Sequence, residues 1–222
     1  MSVGPDGATQ QALEDLFAMC GLPNMVVSVP CDALETRKAT DYFLLERVGR
    51  NTFGLHARRR RLSRTFVFGK ANVIRVRGKA EKMVDAFDTV LASDHKNEHE
   101  DLSIIGCGPM VPEAMRAAYI LRQEFGYETR VINIHTMKPI DVEAIVCAAK
   151  ETEVVITAEE HQVGALAWRV SATLTECPEL YGVPVLTGAI GVKDRFGDSG
   201  APWELIKEFE VSQNTSPRKR WS

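Results

Sequence analysis

The sequence predicts an α/β protein: the tail of one α/β domain followed by a second, small α/β domain built on parallel strands. Three observations carry this. The apolar run Leu102-Ser103-Ile104-Ile105 breaks at Gly106-Cys107-Gly108-Pro109, the punctuation expected where a buried strand turns into a helix. From Val111 the apolar side chains recur at Ala114, Met115, Ala118, Leu121 and Phe125, three and four apart, while Arg116, Arg122, Gln123 and Glu124 take the other face. Arg130-Val131-Ile132-Asn133-Ile134 then reads as a second strand, and a strand, helix and strand of this length make a right-handed parallel crossover.

The remaining elements follow in order. Gly4-Pro5-Asp6-Gly7 is turn chemistry, and a helix starting near Ala8 stops at Cys20-Gly21. Met25 to Val29 is a β-branched run ended by Pro30; Ala33 to Leu45 is helical, and Thr52 to Ala57 offers one more strand. Two strands and two helices cannot cover both faces of a parallel sheet, so residues 1–65 read as the end of a domain. Residues 66–101 read as a linker and a charged insert. Helical spacing is expected at Met83, Phe87 and Val90-Leu91, then a solvated loop from Ser93 to Glu100. The second domain spans 102–212. Asp141 is placed to cap a helix reaching Lys150, Val154 to Ala158 is a third strand, and a helix carries Leu166, Val170 and Leu174. Pro184 to Gly188 is a fourth strand, Pro202 to Phe209 a last helix, and residues 213–222 a frayed polar tail.

Composition bounds the function. A 45% hydrophobic content over 222 residues supplies a packed core, and a net charge of -3 gives no reason to expect nucleic acid. Five scattered cysteines without a paired spacing read as reduced thiols in a cytoplasmic protein. No apolar run reaches membrane-spanning length, and no secretion signal is visible.

Four places hold candidate chemistry. Gly106-Cys107-Gly108 suggests a dinucleotide loop, but the fingerprint's last glycine is Val111 and no acidic residue closes the second strand, so a tight turn is the better reading. Arg58 to Arg61, at the end of a candidate strand, is either a solvated basic loop or an anion site; the two can coexist. His95 and His99 lie four apart beside Asp94 and Glu98, but without apolar framing they read as loop rather than metal ligands. Glu159-Glu160-His161, at a strand's carboxyl end, suits acid-base work, or else helix capping and pairing at a subunit contact, the preferred reading.

Nine segments in order resemble a known family: Gly4 to Gln10, Leu13-Glu14-Asp15, Leu22 to Met25, Pro30-Cys31-Asp32, Gly69-Lys70-Ala71, Ile105 to Gly108, Lys138 to Asp141, Glu159-Glu160-His161 and Asp194 to Gly200. Together they are similar to the C-terminal part of transketolase, over nearly the whole chain except about 79–101. The beta subunits of pyruvate dehydrogenase-type complexes and deoxyxylulose phosphate synthase share the architecture. The resemblance implies the end of a thiamine-type pyrimidine-binding domain followed by a C-terminal domain with a mixed, mostly parallel sheet.

It implies thiamine diphosphate and magnesium as cofactors, bound mainly by a partner chain, and two-carbon ketol transfer between sugar phosphates in carbohydrate metabolism. The family glutamate that activates the aminopyrimidine, its aromatic pocket and the metal ligands fall upstream of this chain's start, so no catalytic, cofactor-binding or metal residue is assigned here. The expected partner is a transketolase N-terminal-type chain or a homodimer mate. Asp6 matches the aspartate that hydrogen-bonds the donor sugar's hydroxyls, and Gln10 falls where members carry histidine or, in the animal branch, glutamine. Arg58 aligns with the arginine that grips the sugar phosphate. The alternatives to a split enzyme are a non-catalytic dimerising module and a truncated reading frame.

Overall fold

In a computed structural model, the described residues are 6–45, 52–54, 66–78 and 83–211. A six-stranded sheet dominates. Its order is β4 (Phe87–Leu91), β3 (Asn72–Val76), β6 (Thr129–Asn133), β5 (Leu102–Gly106), β8 (Val154–Gln162) and β9 (Leu186–Val192). β6, β5, β8 and β9 are mutually parallel, and β3 pairs antiparallel with β6 and with β4. The sheet is therefore mixed and mostly parallel.

Strand alternation sorts its side chains onto two faces. Ile104, Val131 and Ile74 pack with Met110, Val111, Ala114 and Met115 of α3 (Met110–Ile120) and with Leu205 of α6 (Pro202–Glu208). Ile105, Ile132 and Val73 pack with Ala144, Ile145 and Ala148 of α4 (Val142–Glu151) and with Leu166 and Val170 of α5 (Leu166–Glu176). Both faces are covered, as parallel strands require.

Local signals act where expected. The Asp141 carboxylate accepts from the Ala144 N–H and caps α4. Gly126, at φ 75°, stops the helical turn that extends α3 to Phe125.

The N-terminal part comprises α1 (Asp15–Gly21), β1 (Val26–Ser28), α2 (Ala33–Leu45) and β2 (Thr52–Gly54). β1 pairs parallel with β2 and antiparallel with β7 (Thr136–Lys138), a strand supplied from beyond β6. The two parts of the chain thus share a second sheet and an apolar core, in which Leu16, Val27 and Val29 meet Ile105 and Ile134.

Two expectations need correction. The stretch from Met83 to Leu91 is not helical. It is one short 3₁₀ turn followed by β4, whose half-buried Phe87, Thr89 and Leu91 alternate with exposed Asp88 and Val90. The apolar spacing fits both periods, and pairing with β3 decides for the strand. Nor is the loop after Ser93 merely solvated. Glu100, fully buried, ion-pairs with Arg75 at 2.9 Å, Arg130 at 2.6 Å and His95 at 3.0 Å, while Glu98 ties Arg75 to Arg77. Burial alone would raise the Glu100 carboxyl, but its bonds from His95 and Arg130 outweigh that and hold it well below the usual range. His95 is therefore engaged as an ion-pair partner.

Candidate functional site

Parallel sheets bind ligands beyond the carboxyl ends of their strands, because the loops there are free to converge. Here the N-terminal segment lies across that edge and divides it into a sealed half and an open half.

The sealed half lies over β5 and β6. The Gly108 N–H donates to Val29 O at 3.1 Å, and the Val29 N–H to His135 O at 2.8 Å. Gly108 sits at φ 53°, and a Cβ there would come within 2.8 Å of Val29 Cγ1. The space a nucleotide phosphate would need is filled by chain, which accounts for the glycine pair as a tight turn.

Beneath the seal lies a buried polar cluster. The Asp32 carboxylate accepts from the Glu35 N–H at 2.7 Å at the start of α2. Glu35 is itself fully buried; it accepts from the Cys31 N–H at 2.6 Å and from Asn133 Nδ2 at 2.9 Å. Burial pushes its carboxyl up to about 7, helped by the Asp32 charge and opposed by those hydrogen bonds. Burial and the neighbouring carboxylates also raise the Cys31 thiol, so it is a packed side chain and not a nucleophile. His135, buried against the Phe66 ring, is lowered to about 4 and stays neutral.

The open half lies over β8 and β9. A cleft of about 380 Å³ is lined by Ala8, Gln11, Glu14, Gln162, Arg195 and Phe196, among others. The loop from Asp194 to Gly200 forms one wall, with Phe196 88% exposed at the rim. Arg195 lies over the Phe209 ring at 4.7 Å and reaches Glu208 at 3.4 Å. Gly7, at φ 77°, opens a turn whose carbonyl accepts from the Gln10 and Gln11 N–H groups.

The structure places Asp6 and Gln10 at this open half. Both are exposed, next to the cleft-lining Ala8 and Gln11. Arg58, and with it the arginine run, lies outside the described residues. Glu159 proves to be a cap: its carboxylate accepts from the Gly164, Leu166 and Ala167 N–H groups at the start of α5, while burial raises its pKa. His161 pairs through Nε2 with Asp15 at 3.2 Å and joins β8 to α1. His95 and His99 share no metal cluster; among the described residues no group of three or more His, Cys, Asp or Glu is placed to hold an ion. Sequence reasoning passed over Gln11 and Gln162, because an uncharged amide carries no pattern until its distant partners are known.

A comparison with known families decides the kinship. The model described as "Transketolase, C-terminal domain" matches residues 92–215, more than half of the chain. The chain belongs to the transketolase C-terminal domain family. The match begins inside the stretch 79–101 that was expected to be foreign to the family.

Among similar proteins, one component of the two-component apulose-4-phosphate transketolase of Phocaeicola vulgatus is 33% identical over 214 residues, covering 96% of this chain and 61% of that protein. Human transketolase is 28% identical over 217 residues, 96% of this chain and 31% of that protein. A solved structure titled "Split gene transketolase, inactive beta4 tetramer" superposes with a TM-score of 0.70 at 29% identity, over 94% of this chain and 61% of that one. The transketolase-like chain thus spans about three fifths of the split components it resembles. Among its described residues no helix is long and apolar enough to cross a membrane.

Proposed function

We propose that this chain is the C-terminal component of a split transketolase. In that reading it works with an N-terminal-type chain to move a two-carbon ketol unit between sugar phosphates in the cytoplasm. The observation that carries the reading is the open half of the carboxyl edge. There the family's sugar-contact turn, with Asp6 and Gln10, is docked on the family loop Asp194 to Gly200 beside a cleft of sugar-phosphate size.

Thiamine diphosphate with magnesium supplies the carbanion chemistry in such enzymes. The described residues do not fit its metal diphosphate: the acidic groups at this edge are committed to Cys31, Asn133, α2 and α5, and none forms a metal-holding cluster. Its binding is assigned mainly to the partner, and no step is derived through it. Asp6 would hold the donor's hydroxyls, a contact that rejects analogues lacking them because the carboxylate would be left unpaired. Gln10 and Arg58 would meet the phosphate end.

A second reading, a self-associating module without catalysis, is favoured by the solved relative's title, which describes that protein as an inactive tetramer. Mixing this chain with an N-terminal-type transketolase chain, thiamine diphosphate, magnesium, fructose 6-phosphate and an aldose phosphate separates the two. Ketol transfer by the mixture, absent from either chain alone, supports the split enzyme. Self-association with no turnover in any mixture supports the module.

A further inference from the structure

Two uncharged side chains at the open half tie segments that are remote in sequence. Gln162, the last residue of β8, uses both ends of its amide on one loop: Oε1 accepts from the Asp194 N–H at 3.0 Å, and Nε2 donates to Arg195 O at 2.6 Å. Its own backbone N–H donates to Leu13 O at 2.8 Å, so the same residue also holds the end of the N-terminal segment. Gln11, only 3% exposed, accepts from the Asp198 N–H at 3.1 Å. The loop lies so close to it that a Cβ on Gly197 would sit 2.1 Å from Gln11 Oε1. At the other end of the turn, a Cβ on Gly7 would sit 2.9 Å from Ser199 Oγ. Loop and turn therefore interlock at two points, and the only route from the rigid sheet to this junction through side-chain amides runs through these two glutamines among the described hydrogen bonds.

We propose that Gln162 and Gln11 are positioning residues: they clasp the Asp194 to Gly200 loop onto the Gly7 to Gln11 turn and so fix where Asp6 and Gln10 meet the hydroxyls of a sugar phosphate. The proposal rests on the function proposed above. A clasp of amides keeps its bonds unchanged across the pH range in which a carboxylate or imidazole at this edge would titrate. It also holds the sugar-contact turn without placing a charge beside it. The loop stands to the turn as a brace to a hinged plate: residues that touch no substrate decide how much freedom the contacting ones retain.

The test uses two variants and two readouts. Gln162→Leu removes both amide bonds at nearly constant volume, and Gln162→Glu keeps the acceptor for Asp194 while losing the donor to Arg195 O when ionised. In the isolated chain, Gln162→Leu should speed hydrogen exchange about tenfold at the amides of Asp194, Gln10 and Gln11, while the amides of Ile104 and Ile105 keep wild-type protection. Gly197→Ala, whose new methyl must displace the Gln11 amide, should give the same pattern from the opposite side. Loosening at Asp194 with unchanged protection at Gln10 and Gln11 would overturn the clasp.

In the reconstituted mixture, Gln162→Leu should raise KM for fructose 6-phosphate about tenfold with kcat within about twofold. Gln162→Glu should fall between, and recover toward wild type as the pH drops and its carboxyl regains a proton. A loss confined to kcat would overturn the positioning role. An inactive wild-type mixture would overturn the function itself and the sugar contact with it, and the exchange measurement would still decide the clasp by itself.

Discussion

Replacing Glu35 with glutamine should stabilise the protein at neutral pH and change little near pH 4.5. The folded state holds this carboxyl up to about 7 against an ordinary value of 4.5. Between those values the folded chain keeps a proton that the unfolded chain has lost, so this group's contribution to stability falls as pH rises through the window and is constant above it. The span from 4.5 to 7 is 2.5 units, and at about 1.4 kcal/mol per unit it amounts to roughly 3 kcal/mol. A glutamine keeps an oxygen for the Cys31 N–H, and its amide can donate to Asn133 Oδ1, which is buried with no hydrogen-bond partner among the described residues. Wild-type stability conceals the effect. His135 is lowered to about 4 from 6.5, so the unfolded state takes up a proton as pH falls through that range and stability drops on acidification, opposing Glu35. The difference between Glu35→Gln and wild type isolates the carboxyl. Urea unfolding followed by far-ultraviolet circular dichroism at pH 4.5, 6 and 8 should show that difference growing to roughly 3 kcal/mol. A difference that does not vary with pH would show that burial has not shifted this group.

Three further outcomes are expected. Glu159→Ala strips the acceptor from three buried N–H groups at the start of α5 and should cost about 2–3 kcal/mol, read as a lower urea midpoint with an unchanged slope. Arg130→Met leaves Glu100 and Glu151 without their shared cation and should cost about 3 kcal/mol; thermal unfolding in 1 M salt should not recover it, because a buried pair is little screened. In the reconstituted mixture, Asp6→Ala should raise KM for fructose 6-phosphate at least about tenfold while leaving assembly, measured by sedimentation, unchanged.

Much of this architecture was legible beforehand because it is encoded within a turn or two of chain. α2 occupies Ala33–Leu45, the bounds its spacing predicted, and β5, α3 and β6 form the expected parallel unit around Gly106 to Pro109. Asp141 caps α4 as its position announced. The candidate site was legible only through family motifs. Asp6 and Gln10 came from resemblance, and the structure adds that they stand beside a cleft whose far wall is the Asp194 to Gly200 loop. β4 escaped because its apolar spacing satisfies two periods at once, and β7 because three residues between a strand and a proline carry no pattern.

By itself, the sequence determined the class, the helices with their caps, the buried strands and the family motifs. All of these depend on short-range sterics and on which face is apolar. Tertiary structure alone decided that β3 and β4 close the sheet, that β1 borrows β7, and that Glu35 and Arg130 end up buried with partners some 100 and 30 residues away. It also decided which half of the carboxyl edge is sealed by Val29 and which stays open. Such pairings are fixed by contacts between residues far apart in the chain, which repay the entropy of loop closure only once the whole sheet has formed.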